Sequence, residues 1–187
     1  RTLSIGETAR IALRADTRLP GDVTFDIRDP EGSLVGSFSG KSGAVLEADI
    51  PAARLWSPAT PFLYTCTART GDDEVTETFG IRTLTWTAET GIAINGRHTI
   101  LKGACIHHDN GVLGACAFPE AEERKIRLLK DVGYNAIRSA HNPCSKAMLA
   151  ACDRLGVLVM DEYTDMWYIH KNAHDYASYM REWWHQD

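Results

Sequence analysis

"YNAIRSAHNPCSKAMLAACDRLGVLVMDE", Tyr134–Glu162, decides the reading of this chain. A short apolar run ends in Arg138 and then Ser139, His141 and Asn142. Next comes a segment with Met148, Leu149, Cys152 and Leu155 on one helical side, closed by Gly156. A second apolar run, "VLVM", ends in Asp161 and Glu162. Continuous apolar strands separated by an amphipathic helix indicate parallel strands covered by helices. Polar groups at the ends of such strands indicate function, because in βα folds the site gathers where strands give way to loops.

The same period extends outward on both sides. "TILKGACIHH" reads as a buried strand ending in His107, His108 and Asp109. "PEAEERKIRLLKDVG" reads as a helix with Pro119 at its start, acidic residues in its first turn and Gly133 at its stop. Ile126, Leu129 and Val132 form its apolar face. "HDYASYMREWWHQD" places Tyr176, Tyr179, Met180, Trp183 and Trp184 on one face of a third helix, read as core packing. "GIAINGRHTILKG" reads as a hairpin turning at Asn95-Gly96.

Before this region the period is two. "RIALRA", "VTFDIR" and segments near 34–38, 44–50, 62–68 and 75–82 read as six short strands. Turn signals such as "DPEG" and "TGDD" separate them, which predicts an antiparallel sandwich of the immunoglobulin type. The expected fold is therefore multidomain. Residues 1–86 form an all-β immunoglobulin-like sandwich, and residues 87–187 hold about three βα units of an incomplete (β/α)8 TIM barrel, which needs about eight.

Composition sets outer limits. The 187 residues are 44% apolar and 24% charged, with a net charge of −5. That balance offers no electrostatic case for nucleic acid or an anionic membrane, and no apolar run reaches membrane-spanning length. The five cysteines, Cys66, Cys105, Cys116, Cys144 and Cys152, are odd in number and form no C-x-x-C pair. Free buried thiols in a reducing compartment are expected, hence a cytoplasmic location, with an upstream export signal left open because the chain begins at Arg1.

Three strand ends thus carry polar groups: His107, His108 and Asp109; Arg138, Ser139, His141 and Asn142; and Asp161 and Glu162. If the strands are neighbours, these groups share one rim. Each has a structural alternative. His108 is a ligand contact or a hydrogen-bonded structural residue. Arg138 is a site residue or half of an ion pair. Asp161 and Glu162 line the pocket, cap a helix or pair with an arginine. A metal shared by His107, His108, Asp109 and His141 is disfavoured, because adjacent strand residues point to opposite sides. Trp167, in the loop "DMWYIHKN", is a better candidate than the aromatic stripe to face a ligand, since an indole ring can stack on apolar C–H faces such as those of sugars.

Four stretches resemble glycoside hydrolase family 2, the β-galactosidases, β-glucuronidases and β-mannosidases. They are "LWSPATPFLYT" (Leu55–Thr65), "FGIRT" (Phe79–Thr83), "INGRHTILKGACIHHDNGVLGA" (Ile94–Ala115) and "NAIRSAHNPCSKAMLAACDRLGVLVMDE" (Asn135–Glu162). The last is similar to the signature Asn-x-x-Arg-x-x-His-Tyr-Pro followed by a helix and Asp-x-x-Gly, with Asn142 where the family usually has Tyr. The resemblance implies retaining hydrolysis of β-linked sugars by two carboxyl groups about 5 Å apart. In the family both are glutamates on later barrel strands, the first in an Asn-Glu pair, and this sequence has no Asn-Glu. The catalytic pair is therefore expected beyond residue 187, and the chain alone is expected to be inactive.

By position, the resemblance implies that Arg138 keeps the nucleophile ionised and that His141 and His107 bond sugar hydroxyls. Asp161 is a weaker pocket candidate and Glu162 weaker still. Some members bind Mg2+, but the residues after Glu162 do not match that pattern, so no metal or other cofactor is expected. The expected partners are a carbohydrate substrate and the rest of the barrel, with a homo-oligomer open. The competing reading is a non-catalytic carbohydrate-binding or interaction module with an eroded barrel.

Overall fold

The computed structural model describes residues 1–186. The chain divides into two compact units, Arg1–Ile100 and Leu101–Asp187.

The first unit is all β. Strands β1 (Thr2–Ser4), β2 (Thr8–Leu13), β3 (Asp22–Arg28), β4 (Leu34–Lys41), β5 (Leu46–Pro51), β6 (Tyr64–Thr70) and β7 (Asp73–Phe79) form two antiparallel sheets. Their orders are β1-β2-β5 and β4-β3-β6-β7. All six expected strands are present. β1 is an addition, because three residues carry too little alternation to be read. The core comes from one side of each strand: Ala9 and Ile11 of β2, Ala48 and Ile50 of β5, Ile27 of β3 and Tyr64 of β6. Burying every second residue in this way is what the period of two requires. The Tyr64 hydroxyl accepts the backbone N–H of Arg54 at 2.8 Å, tying the start of β6 to the preceding loop.

A third, smaller sheet follows in order β10-β9-β8, with β8 at Leu84–Thr87, β9 at Gly91–Ile94 and β10 at Arg97–His98. The turn is at Asn95-Gly96, where φ is 51° and 74°, as a type I′ hairpin demands. Asn95 also donates to the carbonyl of Trp56 at 2.9 Å and accepts from the N–H of Thr83. The hairpin turn is thereby fastened to Trp56, which is 1% exposed.

The second unit alternates strand and helix. β11 (Gly103–Ile106), β12 (Ala136–Ser139) and β13 (Leu158–Asp161) run parallel in the order β11-β12-β13. Helix α1 (Pro119–Asp131) joins the first pair and α2 (Lys146–Leu155) the second. Pro119 opens α1, and Glu120 and Glu122 lie in its first turn, where acidic groups complement the helix dipole. Ser145 caps α2 by accepting the N–H of Met148 at 3.0 Å, and Gly156 ends it with a left-handed φ of 73°. Ile126, Ile137, Met148, Ala151, Cys152 and Val157 form the core between helices and sheet.

Four local expectations need correction. β11 is mostly exposed rather than buried, because helices cover only one face of a three-stranded sheet. Val132 does not share the buried face of Ile126; it is the C-cap of α1, where the helical spacing ends, and is exposed. Cys144 and Cys152 are buried, but Cys105 and Cys116 are exposed free thiols. The long third helix is replaced by a 3-10 turn (Tyr176–Ser178) and a short α3 (Met180–Trp183), and its last residue, Asp187, lies outside the described residues. The Asp175 side chain accepts the N–H of Ala177, a local bond that competes with helix continuation in an aromatic-rich segment of modest helix propensity. Met180 is buried there, while Tyr179, Trp183 and Trp184 are exposed, so the aromatic stripe is not core within this unit.

Among the described residues no helix is long and apolar enough to cross a membrane.

Candidate functional site

The register of the parallel sheet sets which side chains meet. Ile106, Ser139 and Asp161 are aligned across the three strands, and so are Cys105, Arg138 and Met160 one position earlier. Successive strand residues face opposite ways. Ile137 and Val159 pack toward the helices, so Arg138 and its aligned neighbours face the open side. Gly103 lies opposite Ala136 in the register of β11 and β12. A Cβ there would lie 2.0 Å from the Ala136 carbonyl oxygen, so only glycine permits this approach.

At the C-terminal edge of this sheet the polar residues form one network. Arg138 donates through Nε to Glu162 Oε1 at 3.0 Å and through Nη2 to the same oxygen. Its Nη1 lies 3.2 Å from Cys105 Sγ. The other Glu162 oxygen accepts the backbone N–H of His141. His141 has φ 76°, the left-handed region that a β-carbon disfavours. Such a conformation persists only when its surroundings hold it, as the Glu162 bond does here. The His141 ring nitrogen Nδ1 is 2.7 Å from Asp165 Oδ1. Lys171 Nζ reaches the same oxygen at 2.5 Å. The His107 ring stands 5.2 Å from that of His141, tilted by 35°.

Electrostatics follow from these contacts. The His141 N–H and then the Arg138 guanidinium hold the Glu162 carboxyl below its ordinary value. Lys171 and then His141 do the same for Asp165. Glu162 in turn raises the Arg138 pKa further, with Cys105 contributing next. Two cations and two anions are thus interleaved, and both carboxylates stay ionised at neutral pH.

The structure brings together Arg138, His141 and His107 of the expected residues. Asp161 is directed elsewhere: its Oδ1 accepts the backbone N–H of Cys144 at 2.8 Å and secures the turn before α2. Glu162, the weakest candidate by sequence, occupies the centre. Trp167 is 51% exposed, with its ring 6.3 Å from that of Tyr163. His108 is half-buried on the strand exit beside His107. Asn142 is exposed, and its carbonyl accepts the Ser139 hydroxyl at 2.6 Å. Among the described residues no group of three or more His, Cys, Asp or Glu is arranged to hold a metal ion.

Sequence reasoning missed three participants. Asp165 and Lys171 lie in an irregular loop, where no period indicates which side chains turn inward. Glu122 is fully buried on α1, bonded to Asn110 Nδ2 at 2.9 Å and to Lys125 Nζ at 3.2 Å. It looked like an ordinary first-turn acid, and instead it anchors the loop that follows β11.

A parallel βα sheet with histidine, arginine and carboxylate side chains at its C-terminal edge belongs to the class of α/β folds, barrels among them, that place their sites at strand ends. Comparison with known proteins gives the family. Residues 4–82 match the model described as glycosyl hydrolases family 2, and residues 87–179 match its TIM barrel domain. The chain belongs to glycoside hydrolase family 2, and it carries that family's immunoglobulin-like and barrel domains. It is 39% identical to beta-galactosidase BoGH2A of Bacteroides ovatus, over 92% of this chain and 22% of that protein. It is 37% identical to a putative beta-glucuronidase of Formosa agariphila, over 83% of this chain and 16% of that one. It superposes with a TM-score of 0.88 and 40% identity on a family 2 glycosyl hydrolase from Bacteroides cellulosilyticus, over all of this chain and 27% of that one. The chain thus spans about a quarter or less of these relatives.

Proposed function

We propose that this chain supplies the substrate-side residues of a retaining β-glycosidase acting on β-galactoside-like substrates. The observation that carries the reading is the joining of Arg138 and His141 by Glu162 at the C-terminal edge of a parallel sheet. Arg138, a fixed cation, keeps a neighbouring nucleophilic carboxylate ionised. His141 and His107 bond sugar hydroxyls as charge develops in the transition state. Trp167 offers an indole face to the sugar, and His108 a further contact beside His107. Asp161 supports the turn that presents His141.

The acid/base and nucleophile glutamates come from barrel strands outside residues 1–187, and the chemistry requires no metal or other cofactor. Residues 1–86 serve as the sandwich and 87–187 as the first part of the barrel. The partners are the carbohydrate and the remaining barrel strands. The beta-galactosidase and putative beta-glucuronidase names of the 39% and 37% identical relatives favour a catalytic role over a purely binding module, and the first of them supports the choice of a galactoside.

The test is turnover of a chromogenic β-galactoside by a polypeptide that carries this chain together with a complete barrel. Hydrolysis with retention at the anomeric carbon is expected, and residues 1–187 alone should show none. Inversion, or robust hydrolysis by the 187-residue chain, would overturn the assignment.

A further inference from the structure

We propose that Asp165 is a positioning residue that fixes the His141 ring with its proton on Nδ1, so that Nε2 is left as a hydrogen-bond acceptor. His141 Nδ1 and Asp165 Oδ1 are 2.7 Å apart. A carboxylate held ionised can only accept, so the nitrogen facing it must be the donor. Asp165 is kept ionised by Lys171, whose Nζ shares the same oxygen at 2.5 Å. Lys171 is itself anchored, because its backbone N–H donates to Asp175 Oδ2 at 2.7 Å and Asn172 donates to the same oxygen.

The support therefore runs from Asp175 through Lys171 and Asp165 to the imidazole. Glu162 holds the backbone of the same histidine. One residue is thus gripped at its main chain and at its ring by two different carboxylates. That investment is difficult to explain for a surface histidine whose side chain is 45% exposed. With Nδ1 occupied, the neutral ring offers only the Nε2 lone pair outward. It suits a ligand group that donates a hydrogen, and a sugar hydroxyl is such a group. The ligand's identity rests on the glycosidase reading, whereas the ring's protonation does not.

The experiment is nitrogen NMR of the protein labelled with 15N-histidine, at a pH where the ring is neutral. The His141 signals are assigned by their loss in His141→Gln. A protonated Nδ1 and an unprotonated Nε2 are expected, and Asp165→Ala should shift the ring toward the Nε2–H form. An Nε2–H form in the unsubstituted protein would overturn the proposal, whether or not Asp165→Ala folds. An unchanged tautomer in a folded Asp165→Ala protein would overturn it as well. Because no sugar is present, these outcomes are independent of whether the enzyme hydrolyses galactosides.

Discussion

The Glu162 carboxylate accepts the backbone N–H of His141, a residue held at φ 76°. Glu162 has a lowered pKa, owed first to that N–H and then to Arg138. A carboxylate with a depressed folded-state pKa contributes stability above its unfolded value, here the ordinary 4.5, and loses it as pH falls through the folded value. Stability should therefore decline on acidification below about pH 4.5. Urea midpoints measured from pH 6 to 3 should fall less steeply for Glu162→Gln than for the unsubstituted protein. Parallel curves would mean that the two contacts do not hold the carboxylate in solution.

Asp165 adds to the same acid limb for a different reason. Its carboxyl is held down first by Lys171 and then by His141. Its contribution is present above the ordinary 3.8 and disappears as pH drops through the lower folded value. Replacing Lys171 with Met should raise the Asp165 pKa, as followed by carboxyl carbon NMR. An unmoved titration would show that the lysine contact is not maintained.

Gly103→Ala forces a methyl group to within 2.0 Å of the Ala136 carbonyl oxygen, in the register that aligns Cys105 with Arg138. Backbone cannot step aside as a flexible side chain can. Although Gly103 is exposed, the clash is with backbone, and the substitution should cost about 2 kcal/mol, within the range of overpacking. It should also displace the exit of β11 that carries His107. Chemical denaturation checks the first effect, and a value near zero would mean that β11 and β12 separate more widely than the register implies.

Glu122 and Glu123 are neighbours on α1 with opposite expectations. Glu122 is fully buried against Asn110 and Lys125. Glu123 is partly exposed and pairs with Arg127 and Arg154 at the surface. Glu122→Ala strands a largely buried ammonium and the Asn110 amide, and should cost about 3 kcal/mol. Glu123→Ala should change stability little, since surface pairs are screened by solvent. Equal losses in a denaturation series would contradict the burial of Glu122.

Much of this could be read from the sequence because local chemistry and global fold agree. Pro119 opens α1 and Gly156 ends α2, and alternation from Val23 to Ile27 places β3 in the sandwich core. The failures occur where local pattern is silent. In a four-residue strand such as β13, the phase of the alternation cannot be read from apolar residues alone. One step of phase separates Asp161, which bonds the Cys144 N–H, from Glu162, which bonds Arg138. Val132, Trp183 and Trp184 are apolar by composition, but burial depends on what is packed against them. Asp165 and Lys171 meet through a loop whose path is set by side-chain bonds to Asp175.

The central claim is that Arg138 acts through the nucleophilic carboxylate it keeps ionised, and His141 on the sugar hydroxyls, as the transition state forms. Its most direct test is steady-state hydrolysis of a β-galactoside by a complete-barrel enzyme carrying Arg138→Ala or His141→Ala. Each substitution should lower kcat by about 100-fold or more, with retained folding verified by circular dichroism. Near-unchanged kcat in both folded variants would contradict the account.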